Sequence, residues 1–279
     1  MQKSLIIITT VGKHEKIFDN IKYIFKKNSG NFKIALAYNG PKDNRRFFES
    51  MNRQFPAVDI VKSEIMCNIP IAITNVVKKH KNYDFYFIVD DDVIVFEKRW
   101  IEKATDILSE HKQIGVLGIV EDKYIDRSVG ELGYVDGNIK ICDWSTTVMG
   151  TRKEVMEKCH FDAKNFPLGF YDADWETNAR SKGYLIACKR MKCVHIGGQS
   201  SNWVYFNNKK ALEEFLKNRE KKEIFYKKYK HVLRKSYWEH IQKESNLDER
   251  KFLRQWSLSN RKNLVLSSIK LFLMKLIER

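Results

Sequence analysis

The sequence predicts an α/β fold, a mostly parallel sheet covered by helices on both faces, with a basic helical extension at its C-terminal end. Three observations predict it. Short, β-branched apolar runs alternate with segments of helical periodicity as far as Val120. The polar clusters Thr9-Thr10, Asn39-Gly40 and Asp90-Asp91-Asp92 fall where those runs end, and such sheets bind ligands beyond the carboxyl ends of their strands. Past residue 202 the sequence changes to helical stretches dense in Lys and Arg.

Taken in order, residues 5–10 read as a buried strand, and residues 14–27 as a helix carrying Ile17, Ile21, Ile24 and Phe25. Residues 32–38 form a second strand, stopped by Asn39-Gly40-Pro41. Then follow a helix at 43–54, a short strand at 59–63, a helix at 71–80 and a strong strand at 83–89. A helix at 100–110 and a strand at 114–120 complete this half. Beyond Gly150 come a short helix at 152–158, a loop at 161–171 containing Pro167 and Gly169, and a helix at 174–181 stopped by Gly183. Strands at 184–188 and 193–196 end the alternation, and basic helices run on from about residue 209.

Composition narrows the function classes. The chain has 279 residues, 43% of them hydrophobic, with 13 Gly and 4 Pro, which suits a packed domain and excludes a disordered chain. The five Cys form no C-x-x-C pair, so a zinc or disulfide framework is not expected; buried reduced thiols in a cytoplasmic protein are. Neither a signal-peptide pattern nor an apolar stretch near the roughly 18 residues of a membrane span is present. The net charge of +16 calls for an anionic partner, and residues 203–279 carry much of it, with 20 Lys and Arg against 9 Asp and Glu.

Asp90-Asp91-Asp92 follows Ile88-Val89 and precedes Val93-Ile94-Val95. Three adjacent carboxylates at the edge of an apolar core repel one another, and a divalent cation removes the conflict; hard oxygen ligands suit Mg²⁺ or Mn²⁺ bound together with substrate phosphates. Alternation of side chains puts Asp90 and Asp92 on one side and Asp91 on the other. A solvated turn after the strand is the plainer alternative. Asp172 and Asp174 lie at the mouth of a helix, where an N-cap role competes with a catalytic one. His195, before Gly197-Gly198, is a structural histidine or a further metal ligand.

In this order the segments resemble the family 2 glycosyltransferases with a GT-A, Rossmann-like fold, over residues 4–198. Val89-Asp90-Asp91-Asp92-Val93 is similar to the D-x-D motif of that family, and Tyr171-Asp172-Ala173-Asp174-Trp175 to its second acidic motif, with Tyr171 where Glu is usual. Phe161-Asp162 resembles its F-D pair, and Met149-Gly150-Thr151-Arg152 the segment before its acceptor-side helix. The resemblance implies a catalytic domain over 1–202, with a nucleotide-binding half to about 120 and an acceptor half from about 121, and an extension over 203–279. It implies donor contacts at Thr9, Thr10, Asn39, Asp43, Asn68, Asn75, Asp90, Asp91 and Gly150. It further implies a Mn²⁺ or Mg²⁺ ion on Asp92 and His195, and Asp172 as the base of an inverting displacement, with Asp174 beside it. Asp143, Trp144 and Trp175 fall in the sugar or acceptor region, where Trp144 stacks on a pyranose or packs in the core. The implied substrates are a nucleotide sugar, with UDP favoured, and a glycan or lipid-linked acceptor.

The apolar stripe of residues 264–277, with Arg261, Lys262, Lys270 and Lys275, suits an anionic membrane surface, packing on the domain, or a homo-oligomer contact. The expected location is the cytoplasm or the inner face of the cell membrane. A nucleotidyltransferase would favour a Gly-rich, Arg-containing loop after the first strand, where this chain has Val11-Gly12-Lys13. A non-catalytic membrane or nucleic-acid binder would not need the acidic motifs, and no nucleic-acid module is recognisable.

Overall fold

The computed structural model describes residues 2–13, 16–120, 132–145, 148–196 and 218–243. The nucleotide half runs β1 (Ser4–Thr10), α1 (Lys16–Lys27), β2 (Phe32–Tyr38), α2 (Arg45–Gln54), β3 (Asp59–Lys62), α3 (Ile69–Lys79), β4 (Phe85–Asp90), β5 (Val93–Val95), α4 (Trp100–Glu110) and β6 (Ile114–Val120). Then come β7 (Ile139–Ile141), β8 (Val148–Arg152), α5 (Lys153–Lys158), α6 (Tyr171–Ser181), β9 (Leu185–Arg190), β10 (Cys193–His195), α7 (Asn218–Tyr229) and α8 (Lys235–Lys243). The boundary at 202/203 and the stripe at 264–277 lie outside the described residues.

Among the described residues, eight strands form one sheet in the order β3-β2-β1-β4-β8-β6-β9-β7. The β3-β2-β1-β4 half is parallel throughout, as the apolar runs predict. β8 enters antiparallel between β4 and β6, and β7 pairs antiparallel with β9. The sequence reading did not identify β5, β7 or β8 as strands. β5 and β7 are three residues long, and β8 has Gly150 at its centre. That glycine lies between Phe87 and Leu117 in register, and a Cβ there would come within 2.6 Å of the Phe87 ring. Gly150 is thus a close-packing position inside the sheet.

Side-chain alternation divides the core between the two faces. Ile6, Ile8, Ile34, Leu36, Phe87 and Val89 pack with Ile17, Ile21, Phe47, Trp100 and Leu108, residues of α1, α2 and α4. Leu5, Ile7, Ala35, Ala37, Tyr86 and Ile88 pack on the opposite side with residues of α3, α5 and α6. Trp175 belongs to this second layer: it is fully buried, stacks on Phe161 at 5.2 Å and donates its indole N–H to the Cys159 carbonyl. It therefore cannot face a sugar.

α3 begins at Ile69, two residues before the sequence-based start, because Asn68 caps it by accepting from the Ile71 amide and Pro70 occupies the first turn. α2 begins at Arg45, not Asp43, and the Asn44 side chain donates its Nδ2 to the Gly12 carbonyl. The described part of the basic extension packs on α6: Phe166, Ala173, Phe225, Tyr229 and Tyr237 form one buried cluster. No helix among the described residues is long and apolar enough to cross a membrane.

Candidate metal centre and the cleft beside it

β4 carries the first acidic motif to the edge of the sheet. Asp90 shares strand parity with Tyr86 and Ile88, so it leaves the sheet on the side covered by α3 and α6. The parallel register with β1 sets Thr9 opposite Asp90, and the Thr9 hydroxyl donates to Asp90 Oδ1 at 3.3 Å. Thr10 donates to Asp91 Oδ2 at 2.6 Å and accepts the Gly12 amide at 2.9 Å, which ties the β1 turn to the motif. Asn20 of α1, itself buried, donates to the Asp90 carbonyl at 3.2 Å.

The chain then folds back. β5 pairs antiparallel with β10 in a separate two-stranded ribbon that sets Val93 opposite His195, and the Ile196 amide bonds the Asp92 carbonyl at 3.0 Å. His195 Nε2 consequently lies 3.4 Å from Asp92 Oδ1. Asp90, Asp92 and His195 offer one ligand atom each, all within 4.8 Å of one another. The crowding has an electrostatic signature. Burial, then the Asp92 charge, push the Asp90 carboxyl up to about 7; His195 opposes the shift, while Asp91 and Asp172 add to it.

Asn39 adjoins this edge. Its amide N–H bonds the Thr10 carbonyl, its carbonyl accepts the Cys67 amide, and its buried side-chain oxygen has no hydrogen-bond partner among the described residues. Asn68 is different: its oxygen caps α3 and its amide donates to the Ala163 carbonyl at 3.1 Å, so its side chain is committed to the fold. Asp43 lies exposed in the turn before α2, and Asn75 is half-buried on α3. Among the described residues, neither is joined to the acidic cluster by a hydrogen bond or ion pair.

α6 forms the other wall. Burial raises the Asp172 carboxyl above the ordinary carboxylate range, and the Trp144 indole N–H donates to its Oδ2 at 3.3 Å. Trp144 is 36% exposed, so its ring is open to a ligand and is not core packing. Asp174 is turned away: fully buried, it accepts from Lys228 and from the Tyr229 hydroxyl at 2.8 Å each, and from the Asp162 amide at 3.2 Å. Its carboxylate anchors α7 instead of lining the cleft. Asp143 is 1% exposed and clamped by Arg180 at 3.2 Å and by the Arg234 Nε at 2.9 and 3.0 Å. That geometry replaces the sugar contact expected of it with a buried ion pair.

Sequence reading missed Glu176, Asn20 and Arg234. Glu176 is fully buried, accepts both the amide and the hydroxyl of Ser145, and is pushed by burial up to about 8. A signal existed in each helix: Asn20 interrupts the apolar stripe of α1, and Asp172, Glu176 and Arg180 recur every four residues along one face of α6.

No protein-family model matches the sequence, and no curated protein matches it. Solved structures do. S. aureus TarS matches with a TM-score of 0.51 at 14% identity, over 68% of this chain and 35% of TarS. The mannosyltransferase PcManGT from Pyrobaculum calidifontis, in complex with GDP-Man and Mn²⁺, matches with a TM-score of 0.55 at 12% identity, over 96% of this chain and 86% of that one. GalNAc-T7 with UDP, GalNAc and Mn²⁺ gives 0.55 at 9% identity, over 70% of this chain and 44% of its own. The chain has the GT-A fold. In this GT-A chain the Asp90–Asp92–His195 cluster lies at the carboxyl edge of the parallel half-sheet, where open α/β sheets bind ligands. The chain spans about a third of the length of TarS.

Proposed function

We propose that this chain is a metal-dependent glycosyltransferase. In this reading it takes a sugar from a nucleotide-diphosphate donor, UDP-linked by preference, and passes it with inversion to a hydroxyl of a glycan or lipid-linked acceptor in surface-polysaccharide assembly. The observation that carries it is the convergence of Asp90, Asp92 and His195 within 4.8 Å, beside the Asp172 wall. Two of the solved structures with this fold hold nucleotide or nucleotide sugar together with Mn²⁺, which supports the same reading.

The residues fit a divalent cation. Two carboxylates and an imidazole offer hard and borderline donors, and the burial and neighbouring Asp92 charge that push Asp90 up are both offset by a bound cation. Asp92 and His195 would hold the ion, with Asp90 beside them; when bound, it would neutralise the leaving diphosphate. The protein groups do the rest. Thr9 and Thr10 hold the Asp90 and Asp91 carboxylates. In this reading Asn39 serves the nucleoside: its buried, unpartnered oxygen would turn out toward the cleft to accept an N–H from the base. Asp172 takes the proton of the acceptor hydroxyl, aligned by the Trp144 indole, whose exposed face stacks on a sugar ring.

The test is a melting-temperature screen of nucleoside diphosphates with Mn²⁺, followed by a nucleotide-sugar hydrolysis screen. UDP with Mn²⁺ raises the melting temperature of the wild type, and Asp92→Ala removes the shift. Asp172→Asn keeps the shift and loses turnover by at least about a hundredfold. A wild type that neither shifts with any diphosphate nor hydrolyses any donor rules the reading out.

A further inference from the structure

One face of α6 makes a continuous set of bonds to a single stretch of chain. Asp172, Glu176 and Arg180, each one helical turn from the next, all bond within residues 142–145. The Trp144 indole bonds Asp172, the Ser145 amide bonds Glu176 at 3.0 Å, and Arg180 donates to the carbonyls of Cys142, at 3.1 Å, and Asp143. Ser145 also sits tight on the sheet, since a Cβ at Gly118 would lie 2.6 Å from its own Cβ. The 142–145 segment is therefore wedged between β6 and α6, and its geometry sets where Trp144 and Asp172 meet.

That segment carries Asp143, a nearly fully buried carboxylate, and Arg180 alone makes a one-sided ion pair with it. The second guanidinium comes from the C-terminal extension. Arg234, at the turn into α8, forks onto both Asp143 oxygens through Nε and Nη2. Three residues on, Tyr237 is 3% exposed and packs in the cluster that includes Ala173 of α6. Burial and the charges of Glu176, Asp172 and Asp143 all hold its hydroxyl un-ionised, with Arg180 opposing, which places that hydroxyl among the same groups.

We propose that Arg234 is a positioning residue for the transfer reaction: by forking onto Asp143 it fixes the segment that presents Trp144 to Asp172, so the acceptor wall is completed by the C-terminal helices. This rests on the glycosyl-transfer reading above. Its carboxylate partner, Asp143, belongs to the acceptor wall and not to β1, β4 or β10, which carry the donor side, so binding and turnover are read separately.

The experiment uses the full chain, the nucleotide sugar that the wild type hydrolyses fastest, and water as acceptor. Arg234→Met keeps the Mn²⁺-dependent melting shift with the matching nucleoside diphosphate and keeps the donor KM, while kcat falls about tenfold to a hundredfold. Arg234→Lys, which retains charge without the fork, loses less. Combined with Trp144→Phe, Arg234→Met adds less than its own loss, because both act through one segment. An unchanged kcat in an active, folded Arg234→Met overturns the inference, and so do losses that multiply in the double variant. If both Arg234 variants unfold, the residue is purely structural and the inference falls. A wild type that hydrolyses no donor removes the reaction itself, an outcome distinct from an active wild type with indifferent variants.

Discussion

At the scale of single residues, the two acidic motifs divide by what surrounds each carboxyl. Asp90 and Asp92 face one another across a point that His195 also reaches, whereas Asp174 meets Lys228 and Tyr229. Glu176 has no opposite charge as its main partner; burial dominates and pushes it up to about 8 from an ordinary 4.5. The folded chain therefore binds a proton there that the unfolded chain releases between those values, and stability falls as pH rises through that window. Glu176→Gln removes this slope: its melting temperature declines less than that of the wild type from pH 5 to about 8, in parallel thermal scans. A wild type and variant with parallel profiles would contradict it. Asp90, pushed to about 7, contributes in the same direction in both proteins and cancels in the difference.

At the scale of elements, caps and short strands decide what the chain can present. Asn68→Ala removes the α3 cap and a bond to Ala163, and costs about 1–2 kcal/mol of stability by urea titration without loss of the Mn²⁺-dependent shift. The same elements explain how far the sequence could be read. β1, β2, β4 and β6 were legible because burial on both faces fills strands of six or seven residues mostly with apolar side chains. β5 and β7 carry too few residues for a period, and the strand character of β8 comes from neighbours on either side of it, not from its own glycine-centred sequence. The aspartate triplet was legible because like charges beside an apolar strand need a cause. The role of Asp143 was not, since its defining partner, Arg234, lies far along the chain.

At the scale of the whole molecule, the basic extension is part of the packed structure as far as it is described. Lys228→Met strands the Asp174 carboxylate with one donor side chain fewer and loosens α7, lowering stability by about 1–3 kcal/mol in a denaturant titration; an unchanged midpoint would count against this anchoring. The basic composition of residues 203–279 leaves open a membrane surface, packing on the domain or an oligomer contact, and composition alone does not reveal that Lys228 and Arg234 are spent on buried acids of the sheet domain. The β5–β10 ribbon carries a consequence for biosynthesis. Its two halves leave the ribosome far apart in time, so the nascent chain displays Asp90 and Asp92 long before the imidazole that completes their trio. If the trio holds a cation as proposed, tight capture is deferred until nearly all of the sheet exists, and a truncated translation product would carry the carboxylates without the grip.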